Sequence, residues 1–163
     1  MTRRTLLASL AGLPAAAQSQ FPAIPNIGFK ADTVPERSES GIGALLPWAD
    51  SLWAVTYNSH KAPTGSGLAL YRIADDLKTV EKVHVHNGTH ANRMVHKESN
   101  QAFIGPYAIS SAGRARVIDD LLDHRLTTTM RHLKDPAGRV YMLTMEGLLF
   151  EVDVASLKAT QLN

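Results

Sequence analysis

There is no cysteine anywhere in this chain of 163 residues. A disulfide framework, a thiolate zinc site and a cysteine nucleophile are therefore excluded. A surplus of charge is missing too. Seventeen basic residues stand against 15 acidic ones, and two of the basic ones, Arg3 and Arg4, lie at the extreme N-terminus. The remainder is near neutral, which argues against a nucleic-acid partner, because phosphates are neutralised by a basic stripe. After the N-terminal segment, no stretch has the roughly 18 continuous apolar residues of a membrane helix, so no membrane span is expected in the mature chain. The nucleophile elbow, the Gly-rich phosphate loop and the HExxH helix are all absent. What is present is ordinary for a globular domain: 44% of residues are apolar, enough for a core and too many for wholesale disorder.

The N-terminus has a three-part plan. Thr2-Arg3-Arg4 precedes an apolar run from Leu6 to Leu13, Pro14 breaks the run, and Ala15-Ala16-Ala17 supplies the small residues of a cleavage site. Thr2-Arg3-Arg4-Thr5-Leu6-Leu7 resembles the twin-arginine export signal. The resemblance implies a signal peptide over residues 1–17 and a periplasmic or secreted protein. The alternative is an amphipathic N-terminal helix. Residues 18–40 hold Pro22, Pro25 and Pro35 and read as a linker, since proline removes backbone donors and extends its predecessor.

From Gly41 onward the chain consists of short β-prone runs separated by turn residues. Residues 51–57, 67–73, 79–85, 101–105, 114–118, 139–144 and 148–152 are such runs. Only 119–124 suggests a helical turn. The runs repeat. Trp53-Ala54-Val55-Thr56 lies on Tyr141-Met142-Leu143-Thr144, and Leu70-Tyr71-Arg72-Ile73 on Leu149-Phe150-Glu151-Val152. Leu77-Lys78 then lies on Leu157-Lys158, and Phe103-Ile104-Gly105 falls between the outer copies. Two repeats span the 88 residues from Trp53 to Tyr141, a mean period of 44. Four strands in such a period resemble the β-propeller superfamily, whose blades are four-stranded sheets. The resemblance implies an all-β fold of about three antiparallel blades, over 41–86, 87–126 and 127–163. A single sandwich or barrel is the alternative. Closed propellers have at least four blades, so this reading expects an incomplete ring. The missing blades would come from a longer chain or from oligomerisation.

In such a blade the b–c loops and d–a connections share one face, and ligands commonly bind there. The expected b–c loops are 58–66, holding His60, then 110–113 and 145–147. The expected first d–a connection is 86–92, where Asn87-Gly88 reads as a tight turn with positive φ at Gly88. Seven histidines give further candidates. His84, His86, His90 and His96 cluster in sequence, and neutral imidazoles can hold a divalent metal. A solvated outer edge is the plainer expectation for His84 and His86, and no cofactor is assigned. His90, Asn92 and Arg93 open the second repeat. A shift of 38 sets Arg93 on Arg131, so both arginines are expected to begin an innermost strand and face a carboxylate, sugar acid or phosphate. Pairing with acidic residues between blades is the alternative. His90 or His132 is placed to act as a general acid or base. Glu98, Asp119, Asp120, Asp123 and Asp135 read as turn and surface carboxylates.

Function is thereby expected to be that of an exported ligand-binding or scaffold module, with an acidic or carbohydrate small molecule as partner. The alternatives are a sugar or sugar-acid lyase or hydrolase working at the channel mouth, and a nonfunctional truncated product.

Overall fold

The computed structural model describes residues 40–58 and 68–162. They form twelve strands in three antiparallel sheets of four, each a simple meander. The first sheet holds β1 (Ser40–Trp48), β2 (Ser51–Asn58), β3 (Ala69–Ala74) and β4 (Val80–Val85). The second holds β5 (Arg93–His96), β6 (Gln101–Ile104), β7 (Tyr107–Ser110) and β8 (Ala115–Val117). A 3-10 turn at Asp119–Leu121 leads to the third: β9 (Leu126–Arg131), β10 (Arg139–Thr144), β11 (Leu149–Asp153) and β12 (Ala159–Gln161). None of the sheets closes on itself. The first strand of each sheet is the inner one: β5 lies against both β1 and β9. The all-β, blade-like expectation is therefore met. The signal and linker segments, and His60, lie outside the described residues.

Alternation along the strands builds the core. On β2, Trp53 and Val55 turn toward the second sheet, while Leu52 and Ala54 turn away. We call the face toward the next sheet in sequence the leading face and the other the trailing face. Trp53, Val55 and Leu70 of the first leading face pack on Ala102, Ile104, Tyr107 and Ile109 of the second trailing face. Phe103 and Ala108 of the second leading face pack on Val140, Met142, Phe150 and Val152 of the third. Ile118, Leu121 and Leu126, from the connection between those sheets, complete that core. Each large buried side chain contributes about 1.5–3 kcal/mol relative to exposure.

The repeat is also written in the turns. Leu77, Gly113 and Leu157 all have positive φ, at 54°, 73° and 62°. Each sits between the third and fourth strands of its sheet and returns its N–H to the end of the third strand, at Ala74, Ser110 and Asp153. The matched Leu77-Lys78 and Leu157-Lys158 are thus the same turn. Gly113 is its third copy, which corrects one expectation: residues 110–113 join strands c and d, and the b–c turn of the second sheet is Gly105-Pro106.

Side chains also tie one sheet to the next. Trp48 Nε1 donates to the Ile109 and Ser110 carbonyls at 3.1 and 3.0 Å. Gln101 Nε2 donates to the Val154 carbonyl at 3.1 Å, and Arg116 Nη1 to that of Ala155 at 2.9 Å.

Candidate functional site

The connection from β4 to β5, residues 86–92, touches all three sheets. His86 N–H bonds the Leu68 carbonyl beside β3, Gly88 N–H bonds Leu122, and Ala91 N–H bonds Leu126 on β9. The His90 carbonyl presses so closely on β1 that a Cβ at Gly43 would lie 1.9 Å from it. Gly88 is not among the residues with positive φ. It is glycine because a Cβ there would meet the His124 carbonyl at 2.2 Å and the Leu122 carbonyl and His90 Cε1 at 2.6 Å. Close approach, not turn conformation, fixes that position.

This packing drives a polar cluster inward. His86, Thr89, His90 and Asn92 are all buried, and His90 is wholly so. The His86 and His90 rings lie 4.5 Å apart. His86 Nδ1 donates to the Gly88 carbonyl at 3.0 Å, which leaves an acceptor lone pair on Nε2. That Nε2, both ring nitrogens of His90 and Oδ1 of Asn92 are buried with no well-formed hydrogen bond to the described residues, the Leu122 carbonyl approaching the His90 ring only at poor geometry. Asn92 Nδ2 donates to the Gly105 carbonyl at 2.9 Å and to Thr129 Oγ1 at 2.8 Å, pinning the start of β5 between β6 and β9. Burial pulls the His86 imidazole down to about 4. Burial likewise lowers His90, assisted by its histidine neighbours and opposed by the Leu122 carbonyl. Both rings are therefore neutral at physiological pH.

No family model, no curated protein and no solved structure matches this chain. The chemistry of the site must be read from its own residues.

His84 joins the edge of the cluster. Its Nδ1 meets the Tyr107 hydroxyl at 3.2 Å. Tyr107 is held protonated by burial. His84 is half-buried and His86 buried, so the pair does not form the solvated edge expected of it; Val85 between them is the exposed residue. His96 is elsewhere, at the far end of β5. Its Nδ1 accepts from Ser99 Oγ at 2.7 Å and its Nε2 donates to the Pro136 carbonyl at 2.7 Å. Among the described residues no group of three histidine or carboxylate side chains is arranged to hold a metal ion. The donor set suits hydrogen bonding to a small polar molecule better than coordination.

His132 occupies the place in the third sheet that His96 holds in the second. Its Nδ1 accepts the Lys134 and Asp135 N–H groups at 3.2 and 2.8 Å, and its Nε2 donates to Glu151 Oε2 at 2.8 Å. Nδ1 holds the β9–β10 turn and Nε2 ties it to β11. The two arginines are separated. Arg93 opens β5, next to Asn92 and exposed, whereas Arg131 closes β9 at the opposite end and is paired with Glu98 of the second sheet. The alignment of Arg93 with Arg131 slips because the β9–β10 turn, 132–138, is longer than the β5–β6 turn, 97–100. The structure therefore gathers His86, His90 and Asn92, leaves Arg93 exposed next to Asn92 in the chain, and sets Arg131, His132 and His96 at the other end. Sequence reasoning missed Tyr107, Thr129 and Arg125. Arg125 stands on the same face as the cluster, its guanidinium 2.8 Å from Glu146. Nothing local marks these three; only the folding of three sheets onto one loop brings them in.

Proposed function

We propose that this chain is an exported ligand-binding module of the β-propeller kind, with its site at the 86–92 connection. Three side-by-side meanders with β1, β5 and β9 innermost support the propeller reading. The Thr2–Leu7 motif and the alanines at 15–17 support export to the periplasm or beyond. Three sheets are fewer than a closed ring needs, so further sheets are expected to join these.

One observation carries the ligand-binding reading: His90 is wholly buried with neither ring nitrogen in a well-formed hydrogen bond, beside two more polar atoms in the same condition, His86 Nε2 and Asn92 Oδ1. Buried polar groups are otherwise satisfied almost without exception. Neutral imidazoles offer both donor and acceptor to a hydroxyl-rich ligand, and Arg93 at the start of β5 offers a guanidinium to its carboxylate. An acidic sugar matches that set.

The test is a histidine-selective nitrogen NMR titration of the full chain, with glucuronate, galacturonate and inorganic phosphate as probes. Saturable shifts at His86 and His90 are expected for a uronate. Arg93→Ala should weaken its binding about tenfold, the loss of one charge-assisted contact, and Arg131→Ala should leave it unchanged. No shift with any probe at millimolar concentration, or equal loss in both variants, rejects the reading.

A further inference from the structure

Residues 86–91 form a strap across one end of the three sheets. Val85 before it and Arg93 beyond it are exposed. The Asn92 side chain anchors its far end to Gly105 and Thr129. Between those points three main-chain bonds hold it down: His86 N–H to the Leu68 carbonyl at 3.1 Å, and Gly88 and Ala91 N–H to those of Leu122 and Leu126 at 2.8 Å. The ties made by Trp48 and His96 lie at the other end of the inner strands β1 and β5. The strap is a fastening of its own.

Beneath it the His86 and His90 rings are packed 4.5 Å apart. Their surroundings offer no counter-charge. His84 of β4, Tyr107 of β7 and His124 before β9 face them. β2 and β3 contribute the backbone of Thr56 and Ala69, while β1, β6 and β9 contribute Gly43, Gly105 and, bonded to Asn92, Thr129. None of these groups is negative: Tyr107 keeps its proton, and the two other imidazoles can add only positive charge. On the same face Arg125 is paired with Glu146, and Arg93 is exposed. Among the described residues the histidines within ion-pair distance of a carboxylate are His96 and His132. Nor can either ring swing to water beneath the closed strap. The His90 carbonyl fills the space a Cβ would need at Gly43, and Gly88 is sealed against the His124 and Leu122 carbonyls. A ring that gains a proton is hydrated only when the strap lifts.

We propose that residues 86–91 are an acid-operated latch: protonation of His86 and His90 lifts this strap off the three sheets while the sheets themselves stay folded. The two states are a closed strap with both rings dry and neutral, and an open strap with both in water. The latch works whether or not a ligand occupies the cluster. Acid favours the open state because the closed one refuses the proton. His86 sits at about 4 when closed, against the ordinary 6.5 in water, so closure is at full strength above pH 6.5 and weakens as pH falls from there toward 4. Between pH 7.5 and 5.0 the ratio of open to closed rises about 30-fold from His86 alone. His90, lowered by the same burial, adds to it.

Amide hydrogen exchange of the full chain at pH 7.5 and 5.0, without ligand and corrected for the intrinsic effect of pH on exchange, tests this. The His86, Gly88 and Ala91 amides should open more readily than those of β10 at both pH values. At pH 5.0 they should open about 30-fold more readily than at pH 7.5. Low urea should leave their exchange unchanged while it speeds that of β10, because a local opening exposes little surface. Glutamine offers a donor and an acceptor and stays neutral at every pH. The His86→Gln, His90→Gln double variant should therefore lose most of the acid effect; circular dichroism checks that it folds, and His86→Gln alone serves as the second variant. Strap amides that exchange only as fast as those of β10, or equally at the two pH values, overturn the proposal. So does an acid effect that the double variant keeps in full.

Discussion

Acid should weaken this fold in a pH window that belongs to histidine. His86 is held at about 4 by burial, against 6.5 for the ordinary imidazole. The unfolded chain therefore binds a proton between those values that the folded chain refuses. The stabilisation is fully present above pH 6.5 and is lost as pH falls from there through 4. At pH 5 the loss from His86 alone is about 2 kcal/mol, given ~1.4 kcal/mol for each pH step below the ordinary imidazole value and incomplete titration of the folded form. His90 is lowered for the same reason and adds in the same direction. Carboxylates act later. Asp76, held at about 2 first by the backbone N–H of Thr79, and Asp153, lowered first by that of Ser156, give stability that is lost only below the ordinary carboxyl range near 3.8. Urea unfolding at pH 7.5 and pH 5.0, followed by the fluorescence of Trp48 and Trp53, reads the difference. With a urea slope of ~1–3 kcal/mol per molar, 2 kcal/mol moves the midpoint by about 1 M. A His86→Gln, His90→Gln double variant should lose most of that dependence, whatever its stability at neutral pH. Equal midpoints at the two pH values, or the same shift in the double variant, would refute the reasoning.

Two further outcomes follow from local geometry. Gly88→Ala drives a Cβ into two backbone carbonyls and the His90 ring; it should lower stability by about 3 kcal/mol in the same urea assay and disturb the His90 resonances. Ala49→Gly should raise the urea midpoint, by about 0.5–1 kcal/mol in stability. Ala49 and Asp50 form the two-residue β1–β2 turn with φ of 50° and 53°, a conformation that glycine adopts without the Cβ penalty.

The strands easiest to read were those with aromatic and β-branched residues in the middle of a sheet. The run at 139–144 coincides with β10, and that at 101–105 with β6 to within one residue. The inner strands β5 and β9 were harder. Arg93-Met94-Val95-His96 is short and polar at both ends, and half of β9 is threonine; each is a strand because it pairs with the second strand of its sheet and packs beside the inner strand of a neighbouring sheet. The aromatic series Trp53, Phe103, Tyr141 survived into the structure because a b-strand position facing the next sheet needs bulk. The arginine pairing did not, because nothing in a loop of charged residues fixes its length. Within the site, His86, His90 and Asn92 were legible as a polar group in one connection. Their burial was not, since it depends on Gly43 and Gly88 letting other backbones approach and on Gly105 leaving room for the His90 side chain.

Four of the side-chain links between neighbouring sheets have one property in common. Trp48, Gln101, Arg116 and His96 each reach forward to a main-chain carbonyl in the following sheet. Every residue carries that oxygen, so no substitution on the receiving side can delete it. Only the donor is exposed to genetic change, and half of each fastening is immune. A scaffold joined in this way can let its repeats drift far apart in spelling while their spacing in the molecule stays fixed.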